Sequence, residues 1–423
     1  MDIYDLSSAA YKKARRRYLK TTKNRNEDLD AEWTPFRAAE KKYKARFPPP
    51  DLSHVLDLTS VTYDAETLAS GRGFYCNGVE IRLLETNESM SSGVGKAFTV
   101  PRVPGLVILP SFVSPQDQRR LVRWALRDHA RHPNETNLDA HYILPEEGLW
   151  NAHLSSDPPL VRTRACTPEL SNTKSGNSGP RQLVSNTPTD PANFQSMLHS
   201  PKPLPAPSPT VSPASPTTLI SKLRWANIGW SYHWGSKQYD FTKGKGHVDN
   251  EIGAICKRAV SSVDWEEVFG QSDEEGWSDE HWRNWHETYE PDAGIVNYYQ
   301  IKDTLMAHVD RSEVCATSPL VSISLGNAAI FLIGGLTRDV EPTVILLRSG
   351  DVVIMSGPAC RRAYHGVPRI LEDTLPEHFS LKLDGEGLSS WTSYELYMRT
   401  TRININVRQV FPKGFDPGLQ VEN

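Results

Sequence analysis

The feature that most constrains the fold is a series of short apolar segments in the second half of the chain. These segments cover residues 320–326, 329–332, 344–347 and 352–355. Between them stand Gly334-Gly335 and Ser349-Gly350-Asp351, residue types that favour a reversal of the chain. Short strands joined by turns are typical of an antiparallel sandwich or barrel. We therefore expect a mainly β core with flanking helices.

A candidate metal site lies just before these segments, in residues 295–313. In a strand, residues i and i+2 point to one face, so His308 and Asp310 can converge on one point. Two histidines and one carboxylate, with open positions opposite, are the usual ligands of non-haem Fe(II) oxygenases. The His308 and Asp310 pair alone is weak evidence for a metal site, since it also fits the solvated face of an edge strand. His365, an ordinary core or loop histidine by itself, is the natural third ligand of such a set.

The last strand, residues 401–408, alternates strictly between apolar and polar side chains. Its polar face is formed by Arg402, Asn404, Asn406 and Arg408. This face either points to water, as in an ordinary amphipathic strand, or points into the barrel and binds a dicarboxylate. The second interpretation follows because arginine offers a bidentate fork to carboxylates, and an unpartnered polar face is costly inside a barrel.

Composition excludes several classes of protein. The chain has 423 residues, a formal net charge of −4 and five cysteines without a C-x-x-C pair. Scattered cysteines argue against a disulfide framework or a thiolate zinc site and fit a reducing compartment. The sequence contains no apolar run of membrane-spanning length, and we expect neither a secretory signal nor a transit peptide. A charge this close to neutral neither demands nor excludes a nucleic-acid partner.

Residues 1–100 are expected to form a basic, helical N-terminal extension. Residues 11–25 contain many basic side chains and no acidic one, and a helix is predicted over 34–47, where Pro48-Pro49-Pro50 ends it. The basic run is either a solvated helical face or an arm that contacts phosphate or serves as a nuclear address.

The catalytic domain is expected to start within residues 101–164. There, Ser114-Pro115 is typical of the cap and first turn of a helix, predicted over 114–131. Residues 165–217 are rich in Pro, Ser and Thr and are predicted to be a disordered insertion, because they cannot bury enough apolar surface to offset their ordering entropy. Residues 218–415 should hold the rest of the domain.

An aromatic cluster follows the insertion, with Trp225, Trp230, Tyr232 and Trp234 close together in the sequence. For any one ring, packing within a sheet is the simpler interpretation. The functional alternative is a stacking surface for a nucleic-acid base.

Taken together, these features resemble the AlkB family of Fe(II)- and 2-oxoglutarate-dependent dioxygenases, and within it the eukaryotic homologues nearest the bacterial founder. The motifs that carry the resemblance, in the family's order, are Asn297-Tyr298-Tyr299, His308-Val309-Asp310, Gly334-Gly335-Leu336-x-Arg338, Ser349-Gly350-Asp351-Val352-Val353, His365 and Arg402-x-Asn404-x-x-x-Arg408. The resemblance covers most of the chain apart from its first residues and the 165–217 insertion. It implies a double-stranded β-helix, or jelly-roll, core.

The resemblance also implies roles for individual residues. The ligands of Fe(II) would be His308, Asp310 and His365. The distal carboxylate of 2-oxoglutarate would pair with Arg402, in a pocket completed by Asn297, Tyr298, Tyr299, Asn404 and Arg408. The modified base would contact Trp225, Tyr232 and Arg338. Two departures stand out: Ser312 replaces an acidic residue of the founder that lies near the base, and residues 371–398 form an insertion expected on the barrel surface.

The implied activity is oxidative demethylation, in which 2-oxoglutarate and O2 are consumed and an N-methyl group leaves as formaldehyde. We expect tRNA bases such as 1-methyladenosine as substrates first, and methylated DNA second, in the cytoplasm, the nucleus or the mitochondrion. A dioxygenase of protein side chains, such as those of histone tails, and a catalytically silent nucleic-acid-binding module stay open as alternatives. A hydrolytic zinc enzyme is disfavoured, because hydrolysis does not call for the Arg402 and Arg408 strand.

Overall fold

The structure is a computed structural model of the whole chain. It describes residues 33–59, 61, 73–84, 96–164, 187–202, 207–270, 280–380 and 391–417, together with residues 9, 12, 13, 15 and 16. The predicted basic arm over 11–25 therefore lies largely outside the described residues. Within the described ranges, every helix is too short or too polar to cross a bilayer.

The larger of two facing sheets contains nine strands of the described chain, each antiparallel to its neighbours. In spatial order the strands are β1 (Phe74–Cys76), β2 (Val79–Leu84), β3 (Ala97–Thr99), β4 (Leu106–Leu109), β13 (Val352–Met355), β10 (Leu320–Gly326), β15 (Thr401–Arg408), β8 (Ala293–Gln300) and β5 (Trp225–Gly229). The predicted final strand, β15, thus lies in the middle of this sheet between β10 and β8.

The smaller sheet has four antiparallel strands among the described residues. In spatial order they are β12 (Thr343–Leu347), β11 (Ala329–Ile333), β14 (His365–Ile370) and β9 (Leu305–His308). A separate two-stranded hairpin is formed by β6 (Tyr232–His233) and β7 (Gln238–Tyr239). Apolar side chains of both sheets pack against each other, among them Ile108, Leu320 and Phe331. The predicted mainly β, jelly-roll fold with flanking helices is confirmed.

Helices cover the outer face of the larger sheet. Those that share its apolar core are α2 (Pro115–Arg123), α3 (Leu149–Leu154), α5 (Pro216–Ile220), α6 (Asn250–Ser261), α7 (Trp265–Phe269), α8 (Trp285–Thr288) and α10 (Thr392–Met398). The short helix α9 (Gly357–Arg361) precedes β14. Helix α2 begins as predicted, since Ser114 Oγ accepts the N–H of Asp117 at 3.1 Å. It continues as a π-helical segment over Trp124–His129, so the expected helix spans almost its predicted length.

Helix α1 (Pro35–Lys44) covers the outer face of the smaller sheet. Its apolar stripe, Phe36 and Tyr43, packs with Ala307 and Ile330 of that sheet. The prediction of a separate helical extension over 1–100 is therefore wrong for the described part. Helix α1 packs on the catalytic core, and β1, β2 and β3 are strands of its larger sheet. Alternation in these short strands was too brief to separate them from loops.

Part of the stretch 165–217 is packed. Within it, helix α4 (Phe194–Leu198) inserts Phe194 among Phe241, Phe411 and Phe415, with ring centroids 5.4 to 5.6 Å apart. The prediction of disorder is wrong for residues 187–202 and 207–217, because one aromatic anchor outweighs an otherwise polar composition. The remaining positions, 165–186 and 203–206, lie outside the described residues.

The 371–398 insertion packs with the helices on the outer face of the larger sheet. Phe379, Trp391 and Tyr394 are buried in the same core as α2, and Trp391 Nε1 donates to Phe379 O at 2.8 Å. No described residue of this insertion lines the cavity between the two sheets.

Candidate active site

A cavity of about 590 Å³ lies between the two sheets, within the range of small-molecule sites. Apolar side chains form much of its wall, namely Leu320, Phe331, Leu347, Val353 and Met355. Polar and charged side chains converge at two places, one deep in the sandwich and the other at the exposed mouth. The candidate metal ligands lie between these two places.

Three side chains meet as predicted for a metal triad. Strand β9 ends at His308, Asp310 follows two residues later, and His365 opens β14 directly opposite His308. One potential ligand atom from each residue lies within 4.8 Å of the others, and His308 Nε2 is 3.8 Å from Asp310 Oδ1. The smaller sheet thus supplies both imidazoles by pairing its neighbouring strands.

Both histidines are oriented by the backbone. The Nδ1 atom of His308 lies 3.0 Å from Met306 O, and that of His365 lies 3.0 Å from Ala363 O. A proton on each Nδ1 leaves each Nε2 unprotonated and directed at the shared point, which is how proteins fix the tautomer of a metal-binding imidazole. Burial, and then the neighbouring His308, lower the pKa of His365 to about 4, so it is neutral at physiological pH.

The carboxylate of Asp310 is held by Arg408. Burial raises the pKa of Asp310, but the positive charge of Arg408 outweighs burial and keeps the carboxyl pKa below its usual value. Arg408 Nη1 is 3.0 Å from Asp310 Oδ2 and 2.5 Å from Glu313 Oε1. One carboxylate oxygen is therefore engaged by arginine, and the other faces the histidines.

Arg402 forms the deep end of the cavity and is 1% exposed. Its guanidinium donates to Ser324 Oγ at 2.8 Å and to the carbonyls of Asn327 and Leu347 at 3.2 and 3.4 Å. No carboxylate among the described residues forms an ion pair with it, and its Nε has no hydrogen-bond partner there. Burial lowers the pKa of Arg402 to about 10, which leaves it charged at neutral pH. A buried cation facing a cavity fits a carboxylate ligand.

The alternation of side chains along each strand decides which of the other predicted cosubstrate residues face the cavity. Asn297, Tyr299 and Asn404 line the cavity as expected. Tyr298 does not, because it lies between Asn297 and Tyr299 on β8 and points to the opposite face, where its hydroxyl donates to Ala125 O at 2.6 Å. Its assignment to the 2-oxoglutarate pocket is therefore wrong.

Of the three predicted substrate residues, two line the mouth of the cavity and the third packs behind it. Tyr232 and Arg338 line the cavity. Trp225 stands behind it and stacks on Trp234 with ring centroids 5.1 Å apart, and Trp234 lines the mouth while 40% exposed. Ser312, which departs from the founder's acidic residue, also lines the cavity.

Sequence reasoning missed several residues of the site. On β10, Ser322 lines the cavity and Ser324 accepts a hydrogen bond from Arg402. Both alternate with buried apolar residues, so the period that identified β15 could have found them. Glu313, which is 1% exposed and holds Arg408, carries no signal in the sequence that separates it from a surface acid. Thr189 reaches the cavity from the stretch predicted to be disordered.

Comparison with known families agrees with this geometry. The family model described as the 2OG-Fe(II) oxygenase superfamily matches residues 193–408, which include the triad and both arginines. The chain belongs to the 2OG-Fe(II) oxygenase superfamily. It is therefore an Fe(II)- and 2-oxoglutarate-dependent dioxygenase that uses O2, as predicted. The fit rests on the His308, Asp310 and His365 ligand set and on the buried cation Arg402, which forms no ion pair with a carboxylate of the described residues.

Similar proteins also agree with the resemblance to AlkB. An Arabidopsis thaliana protein named DNA N(6)-methyladenine demethylase ALKBH1A is 29% identical over 90% of this chain and 97% of its own. A Schizosaccharomyces pombe protein named tRNA demethylase abh1 is 29% identical over 89% of this chain and 96% of its own. A Mus musculus protein named nucleic acid dioxygenase ALKBH1 is 27% identical over 77% of this chain and 69% of its own. The predicted resemblance is confirmed.

Proposed function

We propose that this dioxygenase removes N-methyl groups from nucleic-acid bases, with tRNA carrying 1-methyladenosine as its first substrate. When bound, Fe(II) with 2-oxoglutarate and O2 supplies the oxidising chemistry: the methyl C–H becomes C–OH, while 2-oxoglutarate becomes succinate and CO2. The N–CH2OH product then breaks its N–C bond and releases formaldehyde, and the ring nitrogen recovers its electron pair.

The protein's own residues divide this work. His308, Asp310 and His365 would hold the metal through the atoms described above. Arg402 would bind the distal carboxylate of 2-oxoglutarate, and the apolar wall excludes water from the reacting carbon. Arg408 keeps the Asp310 carboxylate ionised and fixes its orientation.

The observation that carries the proposal is the mouth of the cavity. Trp225, Trp234 and Tyr232 form a continuous aromatic group, in which Tyr232 meets Trp234 edge to face at 5.0 Å. Tyr232 lines the cavity together with the metal ligands. Burial, and then the charge of Asp310, raise its pKa, so the side chain is a neutral phenol. An aromatic surface that leads from solvent to the triad suits a planar base, and stacking on aromatic rings is worth about 1–3 kcal/mol per base.

Basic side chains border the same mouth. Lys237, Arg311 and Arg338 all line the cavity on its open side. Such charges suit the phosphates that flank a base. A base within a duplex cannot reach the triad, so the substrate is either flipped or already unpaired, as in an RNA loop. The three relatives described above are named for tRNA, DNA and nucleic acid, which supports the substrate class.

The test is product release by the purified protein with Fe(II), 2-oxoglutarate and tRNA containing 1-methyladenosine. We expect formaldehyde and succinate from the wild-type protein and neither from His308→Ala. Succinate without formaldehyde would reject this substrate and leave the dioxygenase intact. A protein side-chain substrate, the main alternative, would give succinate with a histone-tail peptide and none above background with tRNA.

We further propose that the protein works in the cytoplasm or the nucleus, and the mitochondrion is the third compartment to examine. The support is limited to the cysteines of the sequence, which are scattered and form no C-x-x-C pair. Fluorescence imaging of the tagged full chain would test this: signal confined to the secretory pathway would contradict it.

A further inference from the structure

Strand β9 is an edge strand of the smaller sheet and ends at the metal ligand His308. It pairs with β14 on one side, where His308 stands opposite His365. In an antiparallel pair, alternate residues direct their N–H and C=O groups away from the partner strand. At Ala307 these groups therefore need another partner, because the residue is only 6% exposed.

Two side chains occupy the position where a further strand would lie. Glu40 Oε1 accepts the N–H of Ala307 at 2.6 Å, and Arg338 Nη2 donates to the carbonyl of Ala307 at 3.0 Å. Glu40 is 3% exposed, so its carboxylate is directed at the strand and not at water. Together the two side chains close the edge on which the metal ligand stands.

Glu40 comes from helix α1, which is itself tied to this edge. Its second carboxylate oxygen accepts from Arg37 at 3.0 Å. At the start of the helix, the N–H of Phe36 donates to the backbone carbonyl of Arg338 at 3.1 Å. At its end, Arg369 of β14 donates to Ala45 O at 2.7 Å. Helix, loop and edge strand are therefore held as one unit.

We propose that Glu40 is a positioning residue of the iron site, acting through the backbone of Ala307 on His308. Helix α1 lies outside residues 193–408, the part of the chain that matches the family model. The N-terminal segment therefore completes the metal site of this chain. The inference concerns the metal ligands alone and holds whichever substrate the enzyme takes.

Removing the acceptor leaves the Ala307 N–H buried without a partner and frees the edge strand to move. Loss of outer-shell partners of metal ligands costs about 10–100-fold in metal affinity. Because Glu40 acts one residue away from His308, we place the effect of Glu40→Ala at the lower end, about tenfold. Glu40→Gln keeps an acceptor oxygen at the same reach and should bind metal as the wild-type protein does.

The experiment is titration of the apoprotein with Mn(II), followed by electron paramagnetic resonance, for the wild type, Glu40→Ala, Glu40→Gln and Thr34→Ala. Thr34 caps the same helix without touching β9, so Thr34→Ala is the control for a looser helix. We expect about tenfold weaker binding in Glu40→Ala alone. Hydrogen exchange over residues 303–309, measured by mass spectrometry, should accelerate in the same variant.

Two results would overturn the proposal. One is Mn(II) affinity in Glu40→Ala equal to that of the wild type. The other is an equal loss in Thr34→Ala, which would assign the effect to docking of the helix. Should Glu40→Ala not fold, Glu40→Asp decides: its carboxylate is one methylene too short for Ala307, so it should bind Mn(II) more weakly than Glu40→Gln. The reverse order would reject the proposal.

Discussion

The two ends of the cavity are built in different ways. The deep end consists of side chains from the neighbouring strands β8, β15 and β10. Asn404 of the middle strand, β15, lies opposite Asn297 of β8 on one side and opposite Ser324 of β10 on the other. The mouth is assembled from distant segments: the β6–β7 hairpin, the loop after β11, and residues near Thr189. The deep end is buried around Arg402, whereas Trp234 at the mouth is 40% exposed.

This difference matches two kinds of ligand. A small dicarboxylate that every enzyme of this chemistry uses can be bound by a rigid, buried sheet. A large polymeric substrate must be met at the surface, where loops vary. We therefore expect substitutions at the deep end to weaken the binding of 2-oxoglutarate and substitutions at the mouth to weaken the binding of nucleic acid. Substitutions in the metal triad should impair the reaction with either ligand.

The largest effect is expected where the two ends meet. Asp310→Ala removes a metal ligand and the partner of Arg408, so turnover with any substrate should fall by roughly 10³-fold or more, the scale seen when a catalytic unit is removed. Bound iron, measured after anaerobic loading, should fall with it. Retained iron and turnover would show that Asp310 is not a ligand.

Next in size is the deep end. Arg402→Met should raise the KM for 2-oxoglutarate by about 10- to 100-fold, because a charge-assisted pair with a carboxylate is worth roughly 1.5–3 kcal/mol. The KM for tRNA should stay unchanged. Arg348→Met is the matched control, since Arg348 pairs with Asp57 outside the cavity. An equal rise in both KM values would contradict the assignment of 2-oxoglutarate to the deep end and of nucleic acid to the mouth.

A smaller effect is expected at the mouth. Trp234→Ala should raise the KM for methylated tRNA about tenfold, in line with the loss of one stacking platform, and leave the KM for 2-oxoglutarate unchanged. Tyr75→Ala removes another exposed ring, 74% accessible, on the far edge strand and should change neither. Unchanged tRNA binding in Trp234→Ala would place the base elsewhere.

The smallest effect is expected at a side chain that holds Arg402 in place at the deep end. Ser324→Ala removes one hydrogen bond to the guanidinium of Arg402, so the KM for 2-oxoglutarate should rise about fivefold, equivalent to roughly 1 kcal/mol. Ser356→Ala, which removes a buried hydroxyl bonded to Gly105 O outside the cavity, should leave that KM unchanged. No change in Ser324→Ala would mean that backbone carbonyls alone hold Arg402.

The same division explains what the sequence could predict. The two-residue period of β15 and the His-x-Asp pair at the end of β9 are local patterns. The sequence alone therefore places Arg402 and Asn404 on one strand face and predicts that His308 and Asp310 converge. The same period should have excluded Tyr298, which a matched family motif brought in. Glu40, Glu313 and Thr189 reach the site only through tertiary packing of remote segments, and nothing in their immediate neighbours signals this.

The central claim is that the cavity accepts a methylated base of nucleic acid. The most direct measurement is the nucleoside composition of tRNA by mass spectrometry, before and after incubation with the protein, Fe(II), 2-oxoglutarate and O2. We predict a loss of 1-methyladenosine matched by an equal gain of adenosine and by formaldehyde. Unchanged nucleosides in both tRNA and methylated DNA, while 2-oxoglutarate is consumed with a protein substrate, would contradict it.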